Sequence, residues 1–308
     1  MLKSLLLTLG LMVGSTAFAG DTIVLTKDNS ITINDAIYED TVANLINKAK
    51  ELDSRIKSSD PIYLVLNTPG GEIDAGLEMI ENLVSLRRPV HTISIFSASM
   101  GFQTVQGLGN RYVLKNGTLM SHRATGGFFG QMPGSLGTRY QYYLKRVLRL
   151  DANAVKRSKG KLTAQSYARL IADEYWCDGQ DCVNQGVADA VVNAQCDKSL
   201  AGTNEKSIMQ DIYMGHTVEI KAEYDNCPLN TNALKYNIYV DGSPLFGEQP
   251  STPKADKTSV TDPYGVWAYK SIPDSPLSNL SKEEVFYLNN LIKDAIKKHK
   301  SMEVIKGY

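Results

Sequence analysis

Residues 62–71, Ile-Tyr-Leu-Val-Leu-Asn-Thr-Pro-Gly-Gly, and residues 94–101, Ser-Ile-Phe-Ser-Ala-Ser-Met-Gly, decide how this chain is read. Each is an apolar run that ends in small residues, and each leads into a helical pattern. A nearly continuous run such as Ile62 to Leu66 suits a strand covered on both faces. After Gly71, the spacing of Leu77, Ile80, Leu83 and Val84 predicts an amphipathic helix that ends before Pro89. Residues 101–109 repeat the helical pattern after the second run. Strand, turn, helix, strand, turn, helix is the order of a parallel sheet with right-handed crossovers. In such sheets ligands gather beyond the carboxyl ends of the strands, where Gly70-Gly71 and Ser99 both fall.

The small residues at that edge have chemical uses. Glycine permits backbone angles that other residues avoid and lets a substrate backbone approach main-chain N–H groups. A Pro-Gly-Gly sequence also makes a tight turn with no chemistry. Ser99, where a strand bends into a helix, is placed as a nucleophile is in strand–turn–helix sites. The plainer role is a helix N-cap. Two special turns at one edge favour the nucleophile.

Two further strand-like runs, 111–114 and 118–121, bring His122 to the end of a sheet element and ahead of Gly126-Gly127. A histidine there can take a serine's proton and return it to a leaving amine. Residues 136–157 form a long helix pattern, and a second runs from an N-cap at Thr163 to Glu174. An acidic residue near position 174 is placed to orient the histidine. A strand-like run at 186–192, Gly-Val-Ala-Asp-Ala-Val-Val, closes the region.

Composition bounds the rest. Lys+Arg and Asp+Glu each number 33 in 308 residues, so no net charge or basic stripe points to nucleic acid. Lys3, the apolar core Leu5 to Val13 and Ala17-Phe18-Ala19 read as a signal peptide over 1–19, which predicts export, to the periplasm if the source is bacterial. No later apolar run is long enough to span a bilayer. Cys177, Cys182, Cys196 and Cys227 fit an oxidising compartment; of three pairings, Cys177 with Cys182 and Cys196 with Cys227 is the most local. Metal binding is the weaker use, because the spacing lacks paired C-x-x-C and no His is close in sequence.

The collected residues resemble the Clp protease proteolytic-subunit family, serine peptidases of the crotonase-like fold. The resemblance runs from about residue 22 to 193, on residues 62–71, Ser97-Ala98-Ser99-Met100-Gly101, Leu119-Met120-Ser121-His122 and 186–192. It implies stacked βαβ units over 20–197, with Ser99 as nucleophile, His122 as general base, and the N–H groups of Gly71 and Met100 as an oxyanion hole. The third residue is Asp173 counted from Gly160 or Glu174 counted from Gly186; an acidic-x-Trp pattern of distant relatives selects Glu174. The resemblance implies no cofactor, peptide or unfolded-protein substrates, and a homo-oligomer, with a ring handle from Gly126 to about Val155. Export departs from the family, and the absence of ATP outside the cytoplasm argues against an unfoldase partner.

Residues 198–308 lie outside the resemblance and read as a small α+β extension. Residues 217–224 and 233–240 alternate as half-buried strands, and 248–263 carry three prolines and read as a linker. A capping box at Ser281 opens a terminal helix to about His299, with Phe286, Leu288, Leu291 and Ile292 among its apolar positions. Two alternatives to the peptidase reading stand: an inactive scaffold that binds a partner, and a Ser–Lys peptidase using Lys115 or Lys145.

Overall fold

The apolar run at 62–66 becomes the strand β3 (Ile62–Thr68), buried almost throughout, an interior strand of a parallel sheet. The computed structural model describes residues 22–132, 134–213, 215–244 and 282–305. The other strands of this sheet are β1 (Thr22–Leu25), β2 (Ser30–Ile33), β4 (Val90–Ala98), β5 (Arg111–Ser121), β6 (Tyr175–Asp178) and β7 (Ala190–Cys196). Their order is β1-β7-β5-β4-β3-β2, all parallel, and β6 pairs antiparallel with the end of β5. The architecture is mixed α/β with a parallel central sheet, consistent with the crotonase-like Clp protease fold.

Helices α1 (Glu39–Arg55), α2 (Ile73–Val84) and α3 (Met100–Gly107) are the crossovers. In α1 the buried set Val42, Leu45, Ile46, Ala49 and Leu52 follows the three-and-four spacing that places side chains on one face. Acidic Glu39 and Asp40 lie in its first turn and Arg55 in its last, as the helix dipole favours. Around the edge follow α4 (Ser135–Arg157), α5 (Ala164–Leu170) and α6 (Gly179–Asn184). Thr163 caps α5 by accepting from Ser166 N–H.

Alternation along β3 gives the sheet two faces. Leu64 and Leu66 join the main core with Met79, Phe102 and Val105, while Val65 joins Leu25 and Ile93 on the other side. Leu200 and Leu229, from the extension, pack against that second cluster. Two buried arginines pin the framework. Arg88 gives its guanidinium to the carbonyls of Asp60, Asp28, Leu52 and Pro61. Arg111, 1% exposed, binds both carboxylate oxygens of Asp189 at 2.8 and 3.0 Å and so ties β5 to the loop before β7. Those bonds outweigh burial and hold the Asp189 carboxyl down at about 2.

The second sheet is antiparallel, in the order β11-β10-β9-β8: β8 (Thr203–Tyr213), β9 (His216–Asp225), β10 (Lys235–Val240) and β11 (Ser243–Pro244). Helix α7 (Lys282–Ile305) lays Leu288, Ile292 and Ile296 on Val218, Ile220, Ile238 and Val240. The disulfides are Cys177–Cys182 and Cys196–Cys227; the second ties β7 to the β9–β10 loop.

Several elements differ from the sequence expectation. Runs 111–114 and 118–121 are one strand, β5, which pairs with β4 on both sides of Lys115-Asn116-Gly117 while its other edge passes from β7 to β6. The helix read over 163–174 stops at Leu170, and β6 follows. The extension has four described strands rather than two: β8 was hidden because most of its eleven residues are polar and exposed. Phe286 is exposed, off the packed face of α7. The leader at 1–19, the Pro-containing stretch 248–263 and the cap at Ser281 lie outside the described residues.

Candidate active site

Strand β4 ends at Ala98 and α3 begins at Met100, so the change of direction falls on Ser99, at φ +55° and ψ −117°. A non-glycine residue held there stores about 1–3 kcal/mol of strain. The surroundings hold it: Ser99 N–H donates to Met120 O at 2.9 Å, and Ser99 O accepts from Gln103 N–H at 3.2 Å. Its hydroxyl makes no capping bond to α3. Instead Ser99 Oγ lies 2.8 Å from His122 Nε2. With the ring proton on Nδ1, the serine O–H donates to Nε2, the arrangement for general-base activation.

The Gly70-Gly71 turn comes to the same place. At Gly70, with φ +92°, a Cβ would lie 2.6 Å from Ala98 O and 2.8 Å from Met100 N, so only glycine lets the two turns approach this closely. Gly71 pairs with Ile37: Ile37 N–H donates to Gly70 O at 2.8 Å and Glu72 N–H to Ile37 O at 2.9 Å. That ladder leaves Gly71 N–H directed away from Ile37. Met100 N–H is the first of α3, among the donors a helix cannot satisfy internally. Two main-chain donors beside a serine can bind an oxyanion.

The carboxylates are placed differently. Glu174, at φ +68°, accepts from Trp176 Nε1–H at 3.1 Å, and Asp173 is exposed beside it. Among the described residues neither carboxylate bonds to His122, and Ser99 bonds to no lysine. Thus the structure brings together Ser99, His122, Gly71 and Met100, and leaves Glu174 on Trp176.

Sequence reasoning passed over a buried polar group behind the pair. Tyr167 OH lies 2.8 Å from Ser121 Oγ, next to His122, and accepts from Gln103 Nε2 at 3.4 Å on the first turn after Ser99. Burial pushes the Tyr167 phenol up to about 12, so it stays protonated. Its ring stacks on Phe102 of α3, with centroids 6.3 Å apart. Nothing in the helical pattern at 164–170 separates this tyrosine from an ordinary core position.

The Clp protease family model matches residues 17–195. An ATP-dependent Clp protease proteolytic subunit 2 of Bacillus licheniformis is 30% identical over 174 residues, covering 54% of this chain and 88% of that protein. A subunit of Streptococcus uberis is 28% identical over 172 residues, with 54% and 86% covered, and one of Prochlorococcus marinus is 29% identical over 166 residues, with 52% and 78% covered. These relatives support serine peptidase chemistry in general. With the matched region spanning more than half of its length, the chain belongs to the Clp protease family.

Proposed function

We propose that this protein is a serine endopeptidase that hydrolyses peptide bonds in peptides or unfolded chains through an acyl-enzyme. The observation that carries the reading is the 2.8 Å contact between His122 Nε2 and the Oγ of a serine held at φ +55°. In this reading His122 takes the Ser99 proton as Oγ attacks the substrate carbonyl, and the N–H groups of Gly71 and Met100 stabilise the resulting oxyanion. The imidazolium then protonates the leaving amine, and water repeats the sequence to release the acid. Glu174, or Asp173 in its place, stands behind His122 once substrate closes the site; catalytic hydrogen bonds commonly tighten only in the complex.

The leader-like start and the four cysteines support export, to the periplasm in a bacterial source. No helix among the described residues is long and apolar enough to cross a membrane. The family supports homo-oligomeric assembly. Exposed Phe129, Met132, Tyr140, Tyr142 and Leu148, on or just before α4, are apolar surface that such assembly would cover. The relatives are subunits of ATP-dependent proteases by name, but an exported enzyme has no ATP supply and works without an ATP-driven unfoldase.

The bond from Trp176 to Glu174 favours a second reading, a scaffold that keeps the fold without turnover. Hydrolysis of a fluorogenic peptide panel decides between them. Cleavage that is lost in Ser99→Ala supports the peptidase; no cleavage, or cleavage that survives the change, contradicts it.

A further inference from the structure

The extension lies outside the region matched to the Clp protease family, yet its contacts converge on the loop that holds Gly71. The Cys196–Cys227 disulfide fastens the β9–β10 loop to β7. From that loop Thr231 O accepts from Asn34 Nδ2–H at 2.9 Å. From β8, Lys206 pairs with the Asp35 carboxylate. Asn34 also accepts from Asn67 Nδ2–H at 2.5 Å, at the end of β3. Asn34 and Asp35 begin the short segment from β2 to Ile37, and Ile37 is the residue whose backbone pairs with Gly71.

We infer that the C-terminal extension clamps the oxyanion loop, and that Asn34 is the positioning residue through which it acts. The inference rests on the peptidase reading for its catalytic consequence. The physical reason is tolerance. At Gly71 a Cβ would lie 2.2 Å from Ile37 O, so the two backbones are already in closest approach. Any shift of 34–37 is passed to the direction of Gly71 N–H. Ile37 is fully buried and cannot yield outward. Losing one oxyanion donor outright costs about 10²–10³ in kcat, so partial misdirection costs about tenfold.

Two substitutions separate the links. Asn34→Ala removes the bonds to Thr231 and Asn67, whereas Asn34→Asp keeps the acceptor for Asn67 and removes the donor to Thr231. In the full chain, both variants lower kcat about tenfold with KM unchanged, and both speed amide hydrogen exchange across residues 70–73. Cys196→Ser with Cys227→Ser speeds the same amides. Wild-type kcat and wild-type exchange in Asn34→Asp overturn the clamp, as does a change in melting temperature with kcat intact. A wild-type protein without turnover sinks the peptidase reading instead, and exchange across 70–73 in Asn34→Asp still decides the clamp.

Discussion

The two sheets solve the same problem of burying apolar strands, but among the described residues only the parallel one encloses charge and holds strain where a strand bends into a helix, whereas the antiparallel one confines its non-glycine positive φ to Asp241 in the β10–β11 turn. In the parallel sheet, β3 is covered on both faces, two arginines are about 1% exposed, and Ser99 and Glu174 sit at positive φ. In the antiparallel sheet, β9 and β10 alternate, the core is Val218, Ile220, Ile238 and Val240 under α7, and the ion pairs Lys221–Glu219 and Lys235–Glu223 lie across its surface. Strain persists only where surrounding structure over-determines it. A sheet enclosed on both faces can supply that rigidity; a sheet with one solvated face offers an interaction surface and a brace.

The difference predicts where substitutions act. Removing Ser99 is the largest effect on function: Ser99→Ala lowers peptide turnover by about 10³–10⁶, measured as kcat, with no loss of melting temperature. A clear loss of stability would mean that the hydroxyl serves the fold. Arg111→Met is the largest effect on the parallel sheet. It costs about 3 kcal/mol in denaturant unfolding, because Asp189 loses its principal buried partner. Ile292→Ala opens a hole between α7 and the antiparallel sheet and costs about 2 kcal/mol. If the two sheets are separable units, it shifts only the less stable transition. Equal shifts in both would make the chain one cooperative body.

The smallest effects follow pH. The folded Asp189 carboxyl is held at about 2, below its ordinary value near 3.8, so its contribution is fully present above pH 4 and is lost as pH falls toward 2. Arg111→Met flattens that acid limb. Burial acts the other way on Asp151, raising it to about 6, so this carboxyl weakens the fold as pH rises from 4 to 6. Asp151→Asn therefore raises the melting temperature at pH 7 and has no benefit at pH 4. A benefit at both values would trace to something other than ionisation.

The same contrast explains what could be read from residues alone. Ile62 to Leu66 announced a buried strand because both of its faces are apolar, and Ser99 announced a turn because its neighbours are small. His122 was legible from its place after a strand. Helix α5 stopped short because Ile171 ends its packed face and Tyr175 is drawn into pairing with Ser121. Strand β8 was illegible because an edge strand is held by its ladder to β9 rather than by apolar alternation. Glu174 shows the limit most clearly. Spacing brings a carboxylate to positions 173–174, but which group it bonds depends on a backbone angle, φ +68°, and on a tryptophan two residues away. The link from Asn34 to the extension carries no local signal, since Asn67 and Thr231 are 33 and 197 residues distant.

The most direct test of the central claim is the site and rate of phosphonylation by a fluorophosphonate, which loses fluoride to the attacking hydroxyl, read by mass spectrometry of the digested protein. The account predicts a single adduct on the peptide containing Ser99, formed at least about 10³ times more slowly in His122→Ala, since in the proposed mechanism the His122 imidazole activates the hydroxyl. An adduct on another serine, or a rate unchanged by the loss of His122, would contradict it.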